Sequence, residues 1–287
     1  MSETTVKDGF MYGLWRESIN AARNAKGSIH DNATAQKIGM RGGTVAGTVH
    51  LDLFAPLIQQ IFGKTWFEHG TLSMFYTFAA VDKEIVRAVV QKPPKGARDT
   101  QVECRVELQN GLKVSERGTI SIGNPKERPY VQTLELKNAP KDQLRILKGL
   151  NIGDELGPKD VVAKSDNIKA RLANAEDTID WYTGSPWLEP VVPLSHLFGL
   201  FHIFDNSQFK AVPFFGATEF QIMNGPVLAN TLYSAKNKVI CVGIGDRTEF
   251  FWLDGWLYEK GTSKVVATMR HLHRYMKAGS PLYPELQ

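Results

Sequence analysis

Two segments of the chain are apolar around nearly the whole circumference of a helix. The first is 48–62, which contains Pro56 and is followed by Gly63, and the second runs from Leu194 to Phe204. An all-round apolar pattern is typical of a buried helix, a proline bends a helix, and a glycine commonly ends one. We therefore predict two buried helices, the first of them bent, which begin close to half a chain length apart.

Each predicted helix is followed by a series of segments with the apolar, partly alternating character of β-strands. Turn-forming residues separate these segments, among them Asn110-Gly111 in the first series and Glu259-Lys260-Gly261-Thr262 in the second. Asn-Gly between two strand-like runs is a strong hairpin signal. We predict antiparallel strands at 66–79, 83–92, 99–109 and 112–122, and again at 213–223, 227–234, 237–244, 247–259 and 263–275.

The segments outside these two series are more polar. Apolar residues at partly helical spacing predict an amphipathic helix over 8–26, and 164–176 also has helical character. The polar stretch 124–160 predicts a connection with some helix around 141–149, and 183–193 is a loop that contains Pro and Trp. The order of polar helix, loop, buried helix and strands therefore occurs twice.

This repeated order predicts an α+β fold with two repeats, 1–135 with its leading helix and 150–287. A long apolar helix followed by several strands is best buried when the strands form a curved antiparallel sheet around the helix. Two such units placed side by side would merge their sheets and bury two strand edges.

Composition and charge are ordinary for a globular protein. The 34 basic and 30 acidic residues leave a net charge of +4 that is spread along the chain, which argues against nucleic-acid binding. The first residues have no apolar signal core, and no stretch is apolar enough to span a membrane. Cys104 and Cys241 lie in apolar, strand-like runs, and we expect buried, reduced thiols in the cytoplasm. The sequence has no nucleotide, flavin or metal motif, so we expect no cofactor and no metal.

Residues 29–47 resemble a motif of the MaoC-like hydratase group, whose members have the hotdog fold. That motif reads D-x-N-P-x-H-x-D, then A, then G, then I-x-H-G-M, and this sequence has Ile29-His30-Asp31, then Ala35, Gly39 and Val45-Ala46-Gly47. His30 falls on the motif histidine and Gly47 on the glycine before the central helix. The resemblance covers 27–122 and 150–275 and implies a double hotdog, two antiparallel curved sheets each wrapped around a buried central helix, with hydratase chemistry.

The sequence also departs from this motif. The catalytic Asp of the motif falls on Ala25, and its second His falls on Ala46. In the second half, Asp177 falls on the motif Asp, whereas the histidine position holds Tyr182. Each half therefore keeps one member of the acid–base pair that hydration of an enoyl thioester requires.

For catalysis we predict His30 as the general base, because a neutral imidazole suits proton transfer near neutral pH. Asp31 either orients His30 or caps a short helix. Glu68 and His69 follow the first buried helix, where the family's strands line the acyl pocket, and they are candidates for the missing catalytic group.

For substrate binding, the resemblance implies that the thioester oxygen is held by backbone N–H groups at the start of the buried helix, at Gly47 and Thr48. His50, one turn further on, is interpreted either as part of this site or as a core residue. The predicted substrate-binding residues are Gly47, Thr48, His50, Trp66, Tyr182 and Trp187.

Three functions remain open at this point. The first is a hydratase or dehydratase, a lyase that acts on an acyl thioester or a related conjugated carbonyl compound. The second is a thioesterase that uses Asp31, Asp52 or Glu68, and the third is a non-catalytic hotdog protein that binds a small molecule or an acyl group. In each case the expected partner is a small molecule, such as a CoA thioester. Hotdog units usually pair, so the chain is expected to be a homodimer or a pseudo-dimeric monomer.

Overall fold

Strands and helices are distributed over both halves of residues 4–172 and 177–286, which are the residues that the computed structural model describes. The strands are β1 (Thr5–Lys7), β2 (Phe10–Tyr12), β3 (Arg16–Glu17), β4 (Gly70–Tyr76), β5 (Ile85–Gln91), β6 (Thr100–Leu108), β7 (Val114–Ile122), β8 (Glu155–Val161), β9 (Pro213–Ile222), β10 (Tyr233–Ile244), β11 (Thr248–Glu259) and β12 (Val265–Met276). The α-helices are α1 (Asn32–Lys37), α2 (Gly47–His50), α3 (Ala55–Phe62), α4 (Lys64–His69), α5 (Ser165–Leu172) and α6 (Leu194–Phe201).

The described strands form one antiparallel sheet. Its order is β1-β2-β5-β6-β7-β4-β9-β12-β11-β10-β8, and the short β3 also pairs with β5. Strands β1 to β7 come from the first half of the chain and β8 to β12 from the second. The two groups meet where β4 pairs with β9, with Met74 beside Thr218. The halves therefore lie edge to edge within one sheet, and each covers an edge strand of the other.

The apolar helical segments lie in the core. The first consists of α2, a 3-10 turn at Leu51–Phe54, and α3, which has Pro56 in its first turn, where a proline is tolerated. Gly63 ends this segment with a φ of 58°, a conformation that favours glycine. The 3-10 turn contacts α6, and α6 packs against β10 and β11. Fully buried side chains in this core include Leu51, Phe54, Ile58 and Phe201.

The amphipathic helix predicted over 8–26 is wrong. This segment contains β2 and β3, followed by turns. Met11 points into the core, whereas Phe10 and Tyr12 are only partly buried, and β2 pairs with β5 through Met11 and Val90. A short apolar run becomes a strand when an open sheet edge supplies the backbone hydrogen bonds that a helix would otherwise make.

Several predicted boundaries also change. The strand predicted from residue 66 begins as α4, and β4 starts only at Gly70. The strand predicted at 227–234 is wrong over most of its length, because β10 begins only at Tyr233 and then runs without a break through the strand predicted at 237–244. The helix expected around 141–149 is one 3-10 turn at Lys141–Gln143. The helix predicted over 164–176 is present as α5, and its last residues, 173–176, lie outside the described part of the chain.

Candidate active site

A cavity of about 370 Å³ lies where the loop before α2 meets β4, β7 and the start of β9. Both halves of the chain line it. Most of the wall is apolar, and a mostly apolar cavity with a few polar groups is the usual form of a small-molecule site. The polar and aromatic lining includes His30, Gly47, His50, Tyr76, Glu116, His202, Asn206 and Phe215.

His30 is held in a defined orientation in this wall. Its Nδ1 lies 2.7 Å from the backbone carbonyl oxygen of Thr44. Because a carbonyl oxygen only accepts hydrogen bonds, Nδ1 carries the proton, and in the neutral ring Nε2 is left as an acceptor. An imidazole in this state is suited to accept a proton from a bound water.

The glycine-rich sequence before α2 is needed to bring this loop together. A Cβ atom at Gly43 would lie 2.4 Å from the carbonyl oxygen of His30, so only glycine fits there. The same carbonyl accepts a hydrogen bond from Asn20 Nδ2 at 2.8 Å, and Thr44 N–H donates to the carbonyl of Ile29. These contacts fix the backbone on both sides of the histidine.

A buried chain of three polar side chains reaches the same cavity. His50 Nδ1 lies 2.8 Å from Glu116 Oε1, and His50 Nε2 lies 2.7 Å from Ser18 Oγ. Both contacts are satisfied when Nδ1–H donates to the carboxyl group and the Ser18 hydroxyl donates to Nε2. All three side chains are buried. His50 and Glu116 line the cavity, whereas Ser18 lines a smaller neighbouring cleft of about 120 Å³ that His50 also borders.

Glu116 is the functional candidate that sequence reasoning missed. It lies on β7 and is 1 % exposed, and its Oε2 atom has no hydrogen-bond partner among the described residues. Burial raises the pKa of Glu116, and the hydrogen bond from His50 partly offsets this effect. In the sequence, a glutamate within a half-buried strand looks like an ordinary solvent-facing residue, and nothing local distinguishes it.

Gly47, the first residue of α2, packs against Tyr76. A Cβ atom at Gly47 would lie 2.7 Å from the Tyr76 ring, so a side chain there would displace the tyrosine. The Tyr76 hydroxyl donates to Thr218 Oγ1 at 2.9 Å, and Thr218 Oγ1 lies 2.9 Å from His271 Nδ1. Tyr76 is therefore anchored to the second half of the chain, and it fixes the wall opposite the start of α2.

The other predicted catalytic residues do not line this cavity. Asp31 caps α1, accepting hydrogen bonds from the backbone N–H and the hydroxyl of Thr34. These bonds hold the pKa of Asp31 below its usual value. Glu68 accepts a hydrogen bond from Trp187 Nε1, and His69 is exposed, with Nδ1 3.0 Å from the carbonyl of Met223. The structure therefore brings His30 together with His50 and Glu116, and it leaves Glu68 and His69 elsewhere.

Of the predicted substrate-binding residues, Gly47 and His50 line the cavity, and Thr48, Trp66, Tyr182 and Trp187 do not. Trp66 and Thr48 are buried. Trp187 packs edge-on against Trp181 at 5.4 Å between ring centroids, and both pack against Phe67. These aromatic residues therefore form a packed cluster of their own, outside the cavity lining.

Three histidines of the second half, His202, His271 and His273, lie close to one another and pack against the ring of Phe198. His271 and His273 are fully buried with ring centroids 4.5 Å apart, and His202 is 6.0 Å from His273. Burial lowers the pKa of all three, that of His273 to about 3. Among the residues described, no group of three or more His, Cys, Asp or Glu side chains is arranged to hold a metal ion.

With this geometry established, the chain can be compared with known proteins. Neither a family model nor a curated protein matches it. Solved structures do. A MaoC domain dehydratase from Chloroflexus aurantiacus aligns with a TM-score of 0.61 at 10% identity, over 93% of this chain and 94% of that one.

Two further structures extend the comparison. A Mycobacterium tuberculosis protein with a double hotdog fold aligns with a TM-score of 0.55 at 11% identity, over 92% of this chain and 96% of its own. A MaoC-like dehydratase aligns with a TM-score of 0.50 at 10% identity, over 90% and 97%. The chain therefore has the fold of double-hotdog proteins and is similar in structure to MaoC-like dehydratases, as the motif resemblance predicts.

Within residues 4–172 and 177–286, no helix combines the length and the apolar character that crossing a bilayer requires.

Proposed function

We propose that this protein is a hydro-lyase that adds water to, or removes it from, a conjugated acyl thioester bound in the cavity. The observation that carries this proposal is the presence of His30 and Glu116 in one mostly apolar cavity. His30 has an accepting Nε2, and Glu116 Oε2 has no hydrogen-bond partner among the described residues. Glu116 would thus replace the motif Asp, which this sequence lacks because Ala25 stands at that position.

The two groups divide the proton transfers between them. His30 Nε2 takes a proton from water, whose oxygen forms a bond to the β-carbon of the substrate. Glu116, whose pKa burial raises, is protonated more readily than an exposed glutamate and delivers a proton to the α-carbon. Dehydration reverses both transfers.

The start of α2 supports this chemistry. The first N–H groups of a helix have no acceptor within the helix, and Gly47 lies in the cavity wall. Its N–H would donate to the thioester oxygen as negative charge develops there. The apolar lining, which includes Ile29, Met40, Val45 and Phe214, would hold the acyl chain. A thioester of CoA fits this requirement and matches the similarity to dehydratases of the MaoC type.

We also propose that each apolar helical segment is the central helix of one curved hotdog unit, with units at 1–135 and 150–287. Pairing of β4 with β9 within one chain supports a pseudo-dimeric monomer rather than an obligate homodimer. Two unpaired, buried cysteines support a reducing compartment such as the cytoplasm.

Thioester hydrolysis is a second candidate, favoured by one observation. Ser18, His50 and Glu116 are linked in the order hydroxyl, imidazole and carboxylate, as in serine hydrolases. Ser18, however, borders the neighbouring cleft rather than the cavity itself. The predicted thioesterase carboxylates Asp31, Asp52 and Glu68 do not line the cavity either. Hydration is therefore the function that this geometry supports best.

The test is a hydration assay with a panel of enoyl-CoA substrates, followed by loss of the conjugated absorbance and, in parallel, by release of free thiol. His30→Ala and Glu116→Gln are compared with His69→Ala and Glu68→Gln, which remove the same groups outside the cavity. Hydration lost only in the first pair supports the proposal. Thiol release that depends on Ser18 instead favours hydrolysis, and no turnover with any thioester favours a binding protein.

A further inference from the structure

A second cleft, of about 410 Å³, lies beside the cavity. Three arginines line it: Arg41, Arg247 and Arg274. The cleft and the cavity share the wall residues Met40, Thr44, Thr77, Phe78, Ala79 and Phe214. A ligand in the cavity therefore has this arginine-lined space as its immediate neighbour.

The charges of the cleft are not balanced. Arg41 makes a two-pronged ion pair with Glu84, at 2.7 and 2.8 Å. Arg247 and Arg274 form no ion pair with any of the described residues. The cleft is lined by one carboxylate, Asp246, which is exposed and adjacent in sequence to Arg247. Even if Asp246 balances Arg247, Arg274 is left without a counter-ion.

Arg274 is also partly removed from water. Its Nε atom is buried and has no hydrogen-bond partner in the described part of the chain, and its guanidinium lies 5.9 Å from the centroid of the Phe75 ring. Burial lowers the pKa of Arg274. A half-buried guanidinium with unused donors is unfavourable by itself. It is a suitable arrangement where a ligand supplies the missing anion.

Two glycines leave the space that these guanidinium groups occupy. A Cβ atom at Gly216 would lie 2.6 Å from Arg274 Nε, and one at Gly39 would lie 3.2 Å from Arg247 Nη2. Arg274 pairs in register with Phe214 across β12 and β9, and Phe214 is part of the wall shared with the cavity. Arg274 is thus set against the backbone beside the cavity rather than extended into solvent, whereas Arg247 is exposed at the edge of the cleft.

We propose that Arg274, together with Arg247, binds an anionic group, a carboxylate or a phosphate, of the ligand that occupies the neighbouring cavity. The identity of that ligand rests on the proposed function, whereas anion binding does not. The group has two sources: a carboxylate carried by the acyl chain, or a phosphate of the carrier to which the acyl group is attached. Planar guanidinium donors suit both oxyanions.

The experiment measures binding of non-reacting anions to the full chain at low ionic strength, where charge interactions are least screened. Pyrophosphate and succinate are titrated separately by calorimetry, and the rise in Tm with each is recorded, because a ligand that binds only the folded state raises Tm. We expect one of the two to bind. Binding of pyrophosphate alone identifies a phosphate, and binding of succinate alone identifies a carboxylate.

The variants assign that binding to the arginines. Arg274→Met should weaken it about tenfold or more, and Arg274→Lys should weaken it less, because charge is kept but the forked donors are lost. Arg128→Met, which removes an exposed arginine that is not part of the cleft lining, should bind like the wild type. If Arg274→Met does not fold, Arg247→Met, at an exposed position, provides the test, and its affinity for the anion should fall several-fold. Wild-type protein that binds neither anion, or arginine variants that bind as well as wild type, would overturn the proposal without bearing on hydration.

Discussion

The two halves of the chain share the same backbone hydrogen bonds before their buried helices, but they place different side chains beside them. In each half, a residue just before the buried helix donates its N–H to a backbone carbonyl of the preceding loop. The next residue donates its N–H to a backbone carbonyl of the segment that follows the first long strand after the helix, β4 or β9. The pairs are Thr44 to Ile29 and Val45 to Ala80 in the first half, and Val191 to Trp181 and Val192 to Val227 in the second. Both helices start two residues after these pairs, at Gly47 and at Leu194.

His30 and Tyr182 each follow the accepting loop residue, so they occupy corresponding positions, as the motif comparison predicts. His30 is half-buried and faces the cavity, whereas Tyr182 is 1 % exposed. Burial and the nearby Asp52 raise the pKa of Tyr182 well above its usual value. Asp177, on the motif Asp position, is bound to Arg16 by two hydrogen bonds of 3.0 and 2.8 Å.

The backbone hydrogen bonds that the two halves share are therefore not sufficient to form a site. The first half leaves space beside its histidine because small residues, Gly43 and Gly47, stand where the backbone approaches closely. At the corresponding positions the second half has Leu194 and Tyr182, which are both buried, and Trp181, next to Tyr182 in the chain, packs edge-on against Trp187. The same backbone arrangement thus supports a cavity in one half and a packed core in the other.

The largest expected effect comes from exchanging the two corresponding side chains. His30→Tyr makes the first half resemble the second, and hydration kcat/KM should fall by about 10²–10⁴ because the general base is lost. Adding Tyr182→His to this variant should restore nothing, since Tyr182 is buried and does not line the cavity that holds His30 and Glu116. Steady-state kinetics of the single and double variants measure this. Activity regained in the double variant would show that the second half holds a working site.

Substitutions at the first residues of the two helices, Gly47 and Leu194, should affect stability and activity differently. Leu194→Ala removes a fully packed side chain and should lower the free energy of unfolding by about 2–5 kcal/mol with little change in kcat/KM. In Gly47→Ala the new methyl group would clash with the Tyr76 ring, and the free energy of unfolding should fall by only about 1–3 kcal/mol. The substitution should nevertheless reduce kcat/KM, because it narrows the cavity. Urea unfolding and kinetics on both variants provide the comparison, and equal activity losses would contradict it.

A smaller effect should appear in the pH dependence of stability. Asp52, in the 3-10 turn of the first half, accepts a hydrogen bond from the N–H of Ser195 at the start of α6. Burial raises the pKa of Asp52 from 3.8 to about 6. The folded state therefore holds this proton more tightly than the unfolded state. Protonation of Asp52 contributes fully to the free energy of unfolding below a pH of about 4, and this contribution is lost as the pH rises through about 6.

Asp52→Asn keeps an oxygen acceptor and cannot titrate. Relative to this variant, the wild type should lose at most about 3 kcal/mol of unfolding free energy between pH 4 and 7. Contributions from other groups, such as His196, are shared by both proteins and cancel in the difference. Denaturant unfolding at several pH values measures the two curves. Curves that stay parallel would mean that Asp52 titrates as it does in the unfolded chain.

The smallest effect concerns Asp31, which the sequence proposed as catalytic and the structure places as the cap of α1. Asp31→Asn keeps a capping oxygen and removes the carboxylate, so activity and Tm should both stay close to wild type. Asp31→Ala loses the cap and should lower Tm slightly. A large loss of activity in Asp31→Asn would return this residue to a catalytic role.

Much of the local structure could be predicted from the sequence. The all-round apolar pattern of 48–62 and of the segment from Leu194 predicted buried helices, and the alternating runs predicted most strands. The region around residues 10–17 failed because a short apolar run fits either a helix or a strand, and an available edge of β5 decided the outcome. A local pattern does not record which sheet edges the rest of the chain leaves open.

The candidate site was predicted only in part, for a related reason. His30 and Gly47 belong to one short segment with a motif, and both line the cavity. Glu68 and His69 were proposed because they follow the helix in sequence, but α4 carries them away from it. Glu116 comes from β7, 66 residues after its partner His50. Its position depends on how β6, β7 and β4 pair, and on burial by both halves.

By itself, the sequence determined the two buried helical segments, most of the strands that follow them, and the histidine and glycines that shape the loop before α2. Those features depend on periodicity, turn chemistry and backbone freedom, which act over a few residues. The tertiary structure alone decided which carboxylate lines the cavity with His30, and that Arg274 lies beside it with no ion pair to any of the described residues. Those features depend on strand pairing and desolvation between residues distant in the chain.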